Sequence, residues 1–398
     1  MAGGIVIVGA SMAGLRTAEA LRRQKVAQPI TVIGDERYLP YNRPPLSKEV
    51  LASDEVTHEA VAFPIRDSIA DVNFVTGTSV TAVDVAEQTV TDDTGVTRPF
   101  DYLVIGTGLT PNKSTYPHQP SDGHHVLRSL DDALALRPKL RNDSKVVIYG
   151  CGFVGMEVAA TAAKLGCDVT VVARGSLPLK MLGQEFGEKL QKRHEARGVQ
   201  FVLDTTVTDL VGDETLTGVT LSSGETLDCD VLVEAIGSTP NTEFLSGQDI
   251  DTTDGVLCDA HLRAEKVSGG VWENVFAVGD VARFPHWLTG GTPRRIEHWN
   301  IPTDSGKHVA YEIARAGDPG LPAKEFSPIP SFWSDQFDIH IFSLGLPALH
   351  ERATLVLGDY GGDCVVEYHR GDNLVGVAGI GHRSVVQGYR PQFDGEKG

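Results

Sequence analysis

Two short glycine clusters carry the strongest chemical signal in the sequence. Gly150-Cys151-Gly152-Phe153-Val154-Gly155 meets the G-x-G-x-x-G spacing at every glycine. In such a turn the first glycine permits a tight bend and the second lets the backbone approach a pyrophosphate. The third lets the following helix pack closely on the preceding strand. The helix N-terminus then meets the phosphates with free N–H groups and the positive end of its dipole. Gly9-Ala10-Ser11-Met12-Ala13-Gly14 has the same form with Ser11 in the middle place, and serine is small. Asp35 and Glu36 follow this first turn by ~20 residues, where an acid bonds ribose hydroxyls. After the second turn that place holds Ala173 and Arg174. An arginine there accommodates a 2′-phosphate, so the sequence leans to NADPH, or to use of both nicotinamides.

The elements around these turns repeat as well. Ile5-Val6-Ile7-Val8 reads as a buried parallel strand, followed by a helix with Leu15, Ala18 and Leu21 on one face and by a second strand, Ile30 to Ile33. The unit recurs with Val146 to Ile148, a helix turning Val154, Val158, Ala159 and Ala162 inward, and Val169 to Val172. Pro99 to Ile105, ending in Gly106-Thr107-Gly108, and Asp230 to Ile236, ending in Gly237, would each close one unit. Asn274 to Val278 is a further strand that stops on Gly279-Asp280. From Pro328 the pattern changes to alternating strands, Ala353 to Leu357, Cys364 to His369 and Leu374 to Ile380, which read as a small antiparallel sheet. The expected fold is α/β: two doubly wound, Rossmann-like dinucleotide-binding domains plus a small C-terminal α+β domain with an antiparallel sheet. Two nucleotide domains suggest one bound flavin and one exchangeable nicotinamide. The expected division is 1–112 with 241–323 for FAD, 113–240 for NAD(P)H, and 324–398 for the C-terminal domain.

Composition narrows the choice. The chain has 398 residues, 41% hydrophobic and 22% charged, enough for several cores. Its 35 basic and 53 acidic residues leave a net charge of −18, which disfavours a nucleic-acid partner. Five scattered cysteines without a C-x-x-C pair fit reduced thiols in a cytoplasmic protein. No run approaches the ~18 apolar residues of a membrane span. His124 and His125 are adjacent and diverge, and neither H-x-x-x-H nor a Cys/His cluster occurs, so no metal site is expected. A G-x-S-x-G hydrolase elbow is absent.

Tyr41-Asn42-Arg43-Pro44-Pro45-Leu46-Ser47-Lys48 resembles the R-P-P-L-S-K segment of the oxygenase-coupled, FAD-dependent ferredoxin reductases, a branch of the glutathione-reductase-like flavoproteins. Thr107 to Pro111, Val278-Gly279-Asp280, Arg295-Ile296-Glu297-His298-Trp299 and Phe332 to Phe337 follow in the family's order and span nearly the whole chain. The resemblance implies that Gly9, Ser11, Gly14, Asp35 and Glu36 hold the ADP half of FAD. Arg43, Lys48, Thr107 and Gly108 would reach the flavin, Gly279 and Asp280 the ribityl chain, and Trp299 the isoalloxazine. Gly150, Gly152, Gly155, Arg174 and Gly237 would serve the nicotinamide. Lys48 would pair with Glu157 beside the flavin N5 edge, and Lys48, Glu157 and Trp299 form the implied catalytic set. A lysine there stabilises negative charge on a reduced ring, and a glutamate compensates the lysine when the ring is neutral.

The region after the second strand carries Pro44 to Ser47 where disulfide- and peroxide-handling relatives place a thiol. Electrons would then leave the flavin directly. The implied reaction runs from NAD(P)H to FAD and on, one electron at a time, to an iron–sulfur ferredoxin that supplies an oxygenase or cytochrome P450. The rivals are an oxidase using oxygen and a sensor that dimerises on reduction; either a monomer or a homodimer suits the chain. Arg294, Arg295, Lys307, His308 and Arg315 are the expected docking patch for an acidic ferredoxin. The chain departs from the family pattern at Ser11, Ala173 and Ile301-Pro302, and Pro302 suits a helix start.

Overall fold

A computed structural model describes residues 3–318 and 320–395. Strand Ile5–Val8 is buried along its whole length and pairs in parallel with Ile30–Ile33 on one side and Tyr102–Ile105 on the other. A continuous β-branched run suits a strand covered on both faces. Val271–Ala277 adds in parallel beyond Tyr102–Ile105, and the six-stranded sheet is completed by Arg263–Glu265 and Asn73–Val75. The chain therefore leaves this sheet and comes back to it after building a second one. Helix Met12–Arg23 buries Leu15, Ala18 and Leu21 completely. Helix Ile301–Gly317 packs on it at Gly306, where a Cβ would stand 2.7 Å from Thr17 Oγ1. Pro302 lies in the first turn of that helix, where its missing N–H costs nothing.

The expected strand Pro99 to Ile105 is divided into Thr97–Pro99 and Tyr102–Ile105. Asp101 stands between them because its carboxylate accepts the Gly3 and Gly4 N–H groups at 3.1 and 3.0 Å.

The second sheet has five parallel strands in the order Gln200–Val202, Asp168–Val172, Lys145–Tyr149, Val231–Glu234, His124–Val126. Helix Phe153–Lys164 buries Val158, Ala159 and Ala162 as expected, but Val154 is 43% exposed. Val154 belongs to the first helical turn, which looks into a cleft rather than onto the sheet. The tail forms a five-stranded antiparallel sheet in the order Ser331–Gln336, Ile339–Gly345, Asn373–Ile380, Cys364–Arg370, Arg352–Gly358. Phe326, just before it, is buried in the core of the first sheet. Among the described residues no helix is long and apolar enough to cross a membrane.

Candidate functional site

The outer glycines of both turns are fixed by their own backbone. Gly9 has φ +119°, and a Cβ there would lie 2.1 Å from the Gly106 carbonyl oxygen. A Cβ on Gly14 would lie 2.1 Å from the Gly9 oxygen. The second turn repeats this: Gly150 has φ +121° with the Ala235 oxygen at 2.2 Å, and Gly155 meets the Gly150 oxygen at 2.1 Å. No side chain larger than hydrogen fits these four places. The middle places differ. A Cβ on Gly152 would meet nothing within 4 Å, whereas Ser11 lines a cleft and its side chain makes no capping bond to the helix it precedes.

That cleft has a volume of about 310 Å³ and gathers Ser11, Arg43, Lys48, Gly108, Glu157, Gly279, Asp280 and Trp299 from the expected set. Lys48 follows the one-turn helix Pro44–Ser47, whose two prolines suit the start of such a turn. Glu157 and Thr161, one turn apart on helix Phe153–Lys164, grip this segment: Thr161 Oγ1 donates to the Ser47 carbonyl at 2.8 Å. Glu157 Oε2 accepts from Lys48 Nζ at 2.7 Å and from Ser47 Oγ at 2.6 Å. Its other oxygen accepts from Ser334 Oγ at 2.7 Å. Ser334 in turn accepts from Gln336 Nε2 at 3.0 Å, and Gln336 Oε1 is 2.9 Å from His194 Nε2. Ser334, Gln336 and His194 are fully buried. The Lys48 and Glu157 side chains are only 14% and 9% exposed, so the ion pair and its hydrogen bonds act in a poorly hydrated place. Burial pushes the His194 imidazole down to about 4, which keeps this end of the chain neutral.

A second network holds the other wall. Glu36 accepts from Arg43 Nη2 and from the Tyr41 hydroxyl, each at 2.5 Å, and Arg43 Nη1 donates to the Arg128 carbonyl at 2.7 Å. Burial pushes the Tyr41 phenol well up, so it stays a donor. Arg128 Nη2 pairs with Asp280 Oδ2 at 3.1 Å. Trp299, 41% exposed, meets Trp333 edge to face at 4.9 Å at the surface end of the cleft.

The remaining expected residues lie elsewhere. Glu36 has both carboxylate oxygens taken up by Arg43 and Tyr41, and exposed Asp35 receives the Glu36 N–H at 3.0 Å. The Thr107 hydroxyl donates to the Asn241 carbonyl at 2.7 Å, so it locks its loop to the chain's return crossing. Gly237 (φ +99°) ends the strand beside the second turn, and Arg174 is exposed. Cys151 donates to the Leu177 carbonyl at 3.3 Å, and burial pushes its thiol up. No cysteine lines the cleft among the described residues.

Most residues of the expected docking patch are paired or buried. Arg295 is held by Asp254 at 2.7 Å and Glu297 at 2.6 Å, Lys307 by Asp304 at 3.4 Å, and Arg315 by Glu312 at 2.7 Å. Burial pushes His308 down to about 4, which leaves it neutral. Only Arg294 of the five is exposed without an ion pair among the described residues, so most of the positive charge here is compensated locally. Glu297, Asp304 and Glu312 stand within three residues of their basic partners, and only Asp254 arrives from elsewhere in the chain. Arg128 sits in no motif, and Ser334 lies within Phe332 to Phe337 with nothing in the sequence to assign it a role.

The cleft suits FAD on its own chemistry. Asn42 Oδ1 and His298 Nδ1 line it, buried and without a hydrogen-bond partner among the described residues, and the Ser11 hydroxyl faces it uncapped. Such polar atoms need a ligand's donors and acceptors. The open space above Gly152 likewise suits a second dinucleotide.

The sequence profile of the pyridine nucleotide-disulphide oxidoreductases matches residues 3–306. The ferredoxin–NAD(+) reductase component of the p-cumate 2,3-dioxygenase system of Pseudomonas putida is 33% identical over 360 residues, 90% of this chain and 85% of that protein. The corresponding component of the anthranilate 1,2-dioxygenase system of Burkholderia cepacia is 32% identical and covers 97% of this chain and 95% of its own. Among solved structures, the reductase in the covalent putidaredoxin reductase–putidaredoxin complex superimposes with a TM-score of 0.89 at 27% identity, over 99% of this chain and 93% of that one.

Proposed function

The chain belongs to the pyridine nucleotide-disulphide oxidoreductase family, and from that premise we propose that it is an FAD-dependent NAD(P)H:ferredoxin oxidoreductase. Its acceptor is an iron–sulfur ferredoxin serving an oxygenase or a cytochrome P450. The observation that carries this reading is the buried Lys48–Glu157 pair in a cleft lined by no cysteine among the described residues. When bound, FAD would supply the conversion of a paired-electron donor's reducing power into single electrons.

The chain's own residues would do the rest. The Ser11 hydroxyl and the N-terminus of helix Met12–Arg23 would meet the flavin pyrophosphate, with exposed Asp35 at the ribose and Glu36, held by Arg43 and Tyr41, bracing the wall beside it. Arg43, fixed by Glu36 and the Arg128 carbonyl, would orient the flavin end, and Asp280, held by Arg128, the ribityl chain. Lys48 faces the cleft paired with Glu157, and Ser47 and Ser334 hold Glu157 in place. Trp299 and Trp333 screen the cleft from water at its surface end. Gly152 and the following helix would take the nicotinamide's pyrophosphate, with exposed Arg174 free to meet a 2′-phosphate. The division into 1–112 with 241–323, 113–240 and 324–398 fits this reading, because the first and second sheets draw their strands from the first two sets.

The test is an absorbance spectrum of the purified protein before and after anaerobic titration with NADH and then NADPH, followed by reduction of cytochrome c with and without a ferredoxin. The expected results are a yellow protein that bleaches with a nicotinamide, and cytochrome reduction that depends on ferredoxin. Arg174→Ala should weaken NADPH use by about 1.5–3 kcal/mol and leave NADH nearly unchanged. A protein that stays colourless with added FAD ends the reading. Rapid consumption of NAD(P)H without any carrier turns it towards an oxidase.

A further inference from the structure

Away from the cleft, three ligand-type side chains converge where the loop before strand Arg263–Glu265 crosses helix Ile301–Gly317. His308 and Glu312 lie one turn apart on the helix, and His261 comes from the loop. One donor atom of each lies within 4.8 Å of the other two. His261 Nδ1, His308 Nε2 and Glu312 Oε1 are all buried, and among the described residues none makes a hydrogen bond; the contact among them is the His261–Glu312 ion pair. Glu312 is only 3% exposed. His261 Nδ1 and Glu312 Oε1 stand 3.4 Å apart, which is close to the edge of a tetrahedron built on ~2.0–2.1 Å metal bonds.

The surroundings hold the three groups in place. Arg315 binds the other oxygen of Glu312 at 2.7 Å and so turns Oε1 toward the imidazoles. Asp259 Oδ1 accepts the backbone N–H groups of His261 and Arg263, each at 2.9 Å, which fixes the loop's curl. The Phe326 ring packs against His308 at 5.3 Å. Three buried polar atoms that face one another with no hydrogen bond, and with only the long His261–Glu312 contact between them, are costly unless something fills the space they share.

We propose that His261, His308 and Glu312 form a binding site for a zinc-class divalent cation, with water completing the coordination. Two imidazole nitrogens and one carboxylate oxygen suit a borderline transition ion and are a poor set for calcium or magnesium. The cation clips the loop to a helix that also supports the cleft: Ser305, on that helix, accepts the Gly279 N–H at 3.0 Å. Binding the folded state alone raises stability by mass action.

The experiment uses the flavin-loaded protein, stripped with a chelator and gel-filtered, then equilibrated with zinc chloride alone. Bound zinc is read by mass spectrometry and thermal stability by release of flavin fluorescence. The expected result is one zinc per chain and a raised melting temperature. His261→Ala and His308→Ala, each first shown to keep its flavin spectrum, should bind at least about tenfold more weakly. His261 sits on a partly exposed loop, so its variant keeps the test open if the helix variant does not fold. Absence of stoichiometric zinc in the wild-type protein overturns the proposal, and so does zinc bound equally well by the variants.

Discussion

At the first glycine turn, Gly9 and Gly14 are pressed against the carbonyl oxygens of Gly106 and Gly9; at the second, Gly150 and Gly155 press against those of Ala235 and Gly150 in nearly the same geometry. The two turns part at the middle place, uncapped Ser11 against open Gly152, and at the end of the next strand, where Glu36 is bound by Arg43 and Tyr41 while Arg174 is free in solvent. The shared places serve the crossing of strand, turn and helix, and any ligand is secondary to them. On the function proposed above, the differing places would decide what is held, and how firmly. A ligand tied on both flanks suits a resident cofactor, whereas an open one suits a substrate that comes and goes.

The sharpest way to break this comparison is to put a methyl group on a shared place in each half. Gly9→Ala sets a Cβ 2.1 Å from a backbone oxygen at φ +119°, and Gly106 cannot yield because its N–H bonds the Val8 carbonyl at 2.7 Å. The backbone strain alone is about 1–3 kcal/mol, and the collision adds to it. Gly9→Ala should yield a colourless or insoluble protein. Gly150→Ala meets the same collision in the second half and should be destabilised as much, but the fraction that folds should keep its flavin and lose reduction by either nicotinamide. A Gly150→Ala protein reduced at the wild-type rate would show that the two halves are not separate sites.

The next effect comes from the pair that joins the halves. Lys48 belongs to the first and Glu157 to the helix of the second. Glu157→Ala leaves a largely buried ammonium uncompensated and should cost roughly 3–5 kcal/mol, read from denaturant midpoints of the flavin-loaded protein. The double variant Lys48→Ala/Glu157→Ala should recover part of that loss. Lys48→Ala alone should slow flavin reduction in stopped flow, and an unchanged rate would confine the lysine to a structural part.

Acid sharpens the comparison in another way, because the Glu157 chain ends on His194. The folded pKa of His194 lies near 4, below its ordinary 6.5, because of burial. A depressed histidine resists the proton that the unfolded chain accepts. Its contribution is therefore complete above pH ~6.5 and is lost as pH falls toward 4, at about 1.4 kcal/mol per unit. His194→Gln should flatten the stability profile between pH 6.5 and 4.5 relative to wild type. Parallel profiles for the two proteins would mean that the imidazole takes up its proton in the folded state.

Much of this was legible in the sequence, and what escaped has a physical reason. The turns, their strands and Lys48 opposite Glu157 follow from local pattern and from a recognised segment, and the structure brings that pair to 2.7 Å. Val154 was assigned to a buried face because periodicity cannot show where a helix overhangs its sheet. The basic run near Trp299 reads as a positive surface only while its charges are counted without partners: Glu297, Asp304 and Glu312 stand within three residues of them, but which acid meets which base is set by the fold, as is the arrival of Asp254. A search for H-x-x-x-H passes over His308 and Glu312, since the third group, His261, arrives through a loop that only the fold brings near.

The smallest effect tests the middle place directly. Ser11 has a hydroxyl with no bond inside the protein's helix cap, so its value lies in what it gives a ligand. Ser11→Gly removes one donor and leaves the strand–helix crossing intact, which should weaken FAD by about 0.5–1.5 kcal/mol, or roughly two- to tenfold in dissociation constant. Gly152→Ser performs the reverse exchange. Nothing within 4 Å resists the new side chain, so the protein should fold as before, and only the approach of the nicotinamide phosphates should suffer. The expected reading is a raised Michaelis constant for NADH and NADPH alike, with flavin content unchanged. If instead Gly152→Ser lost its flavin, or Ser11→Gly altered nicotinamide use while binding FAD normally, the assignment of one dinucleotide to each turn would be reversed.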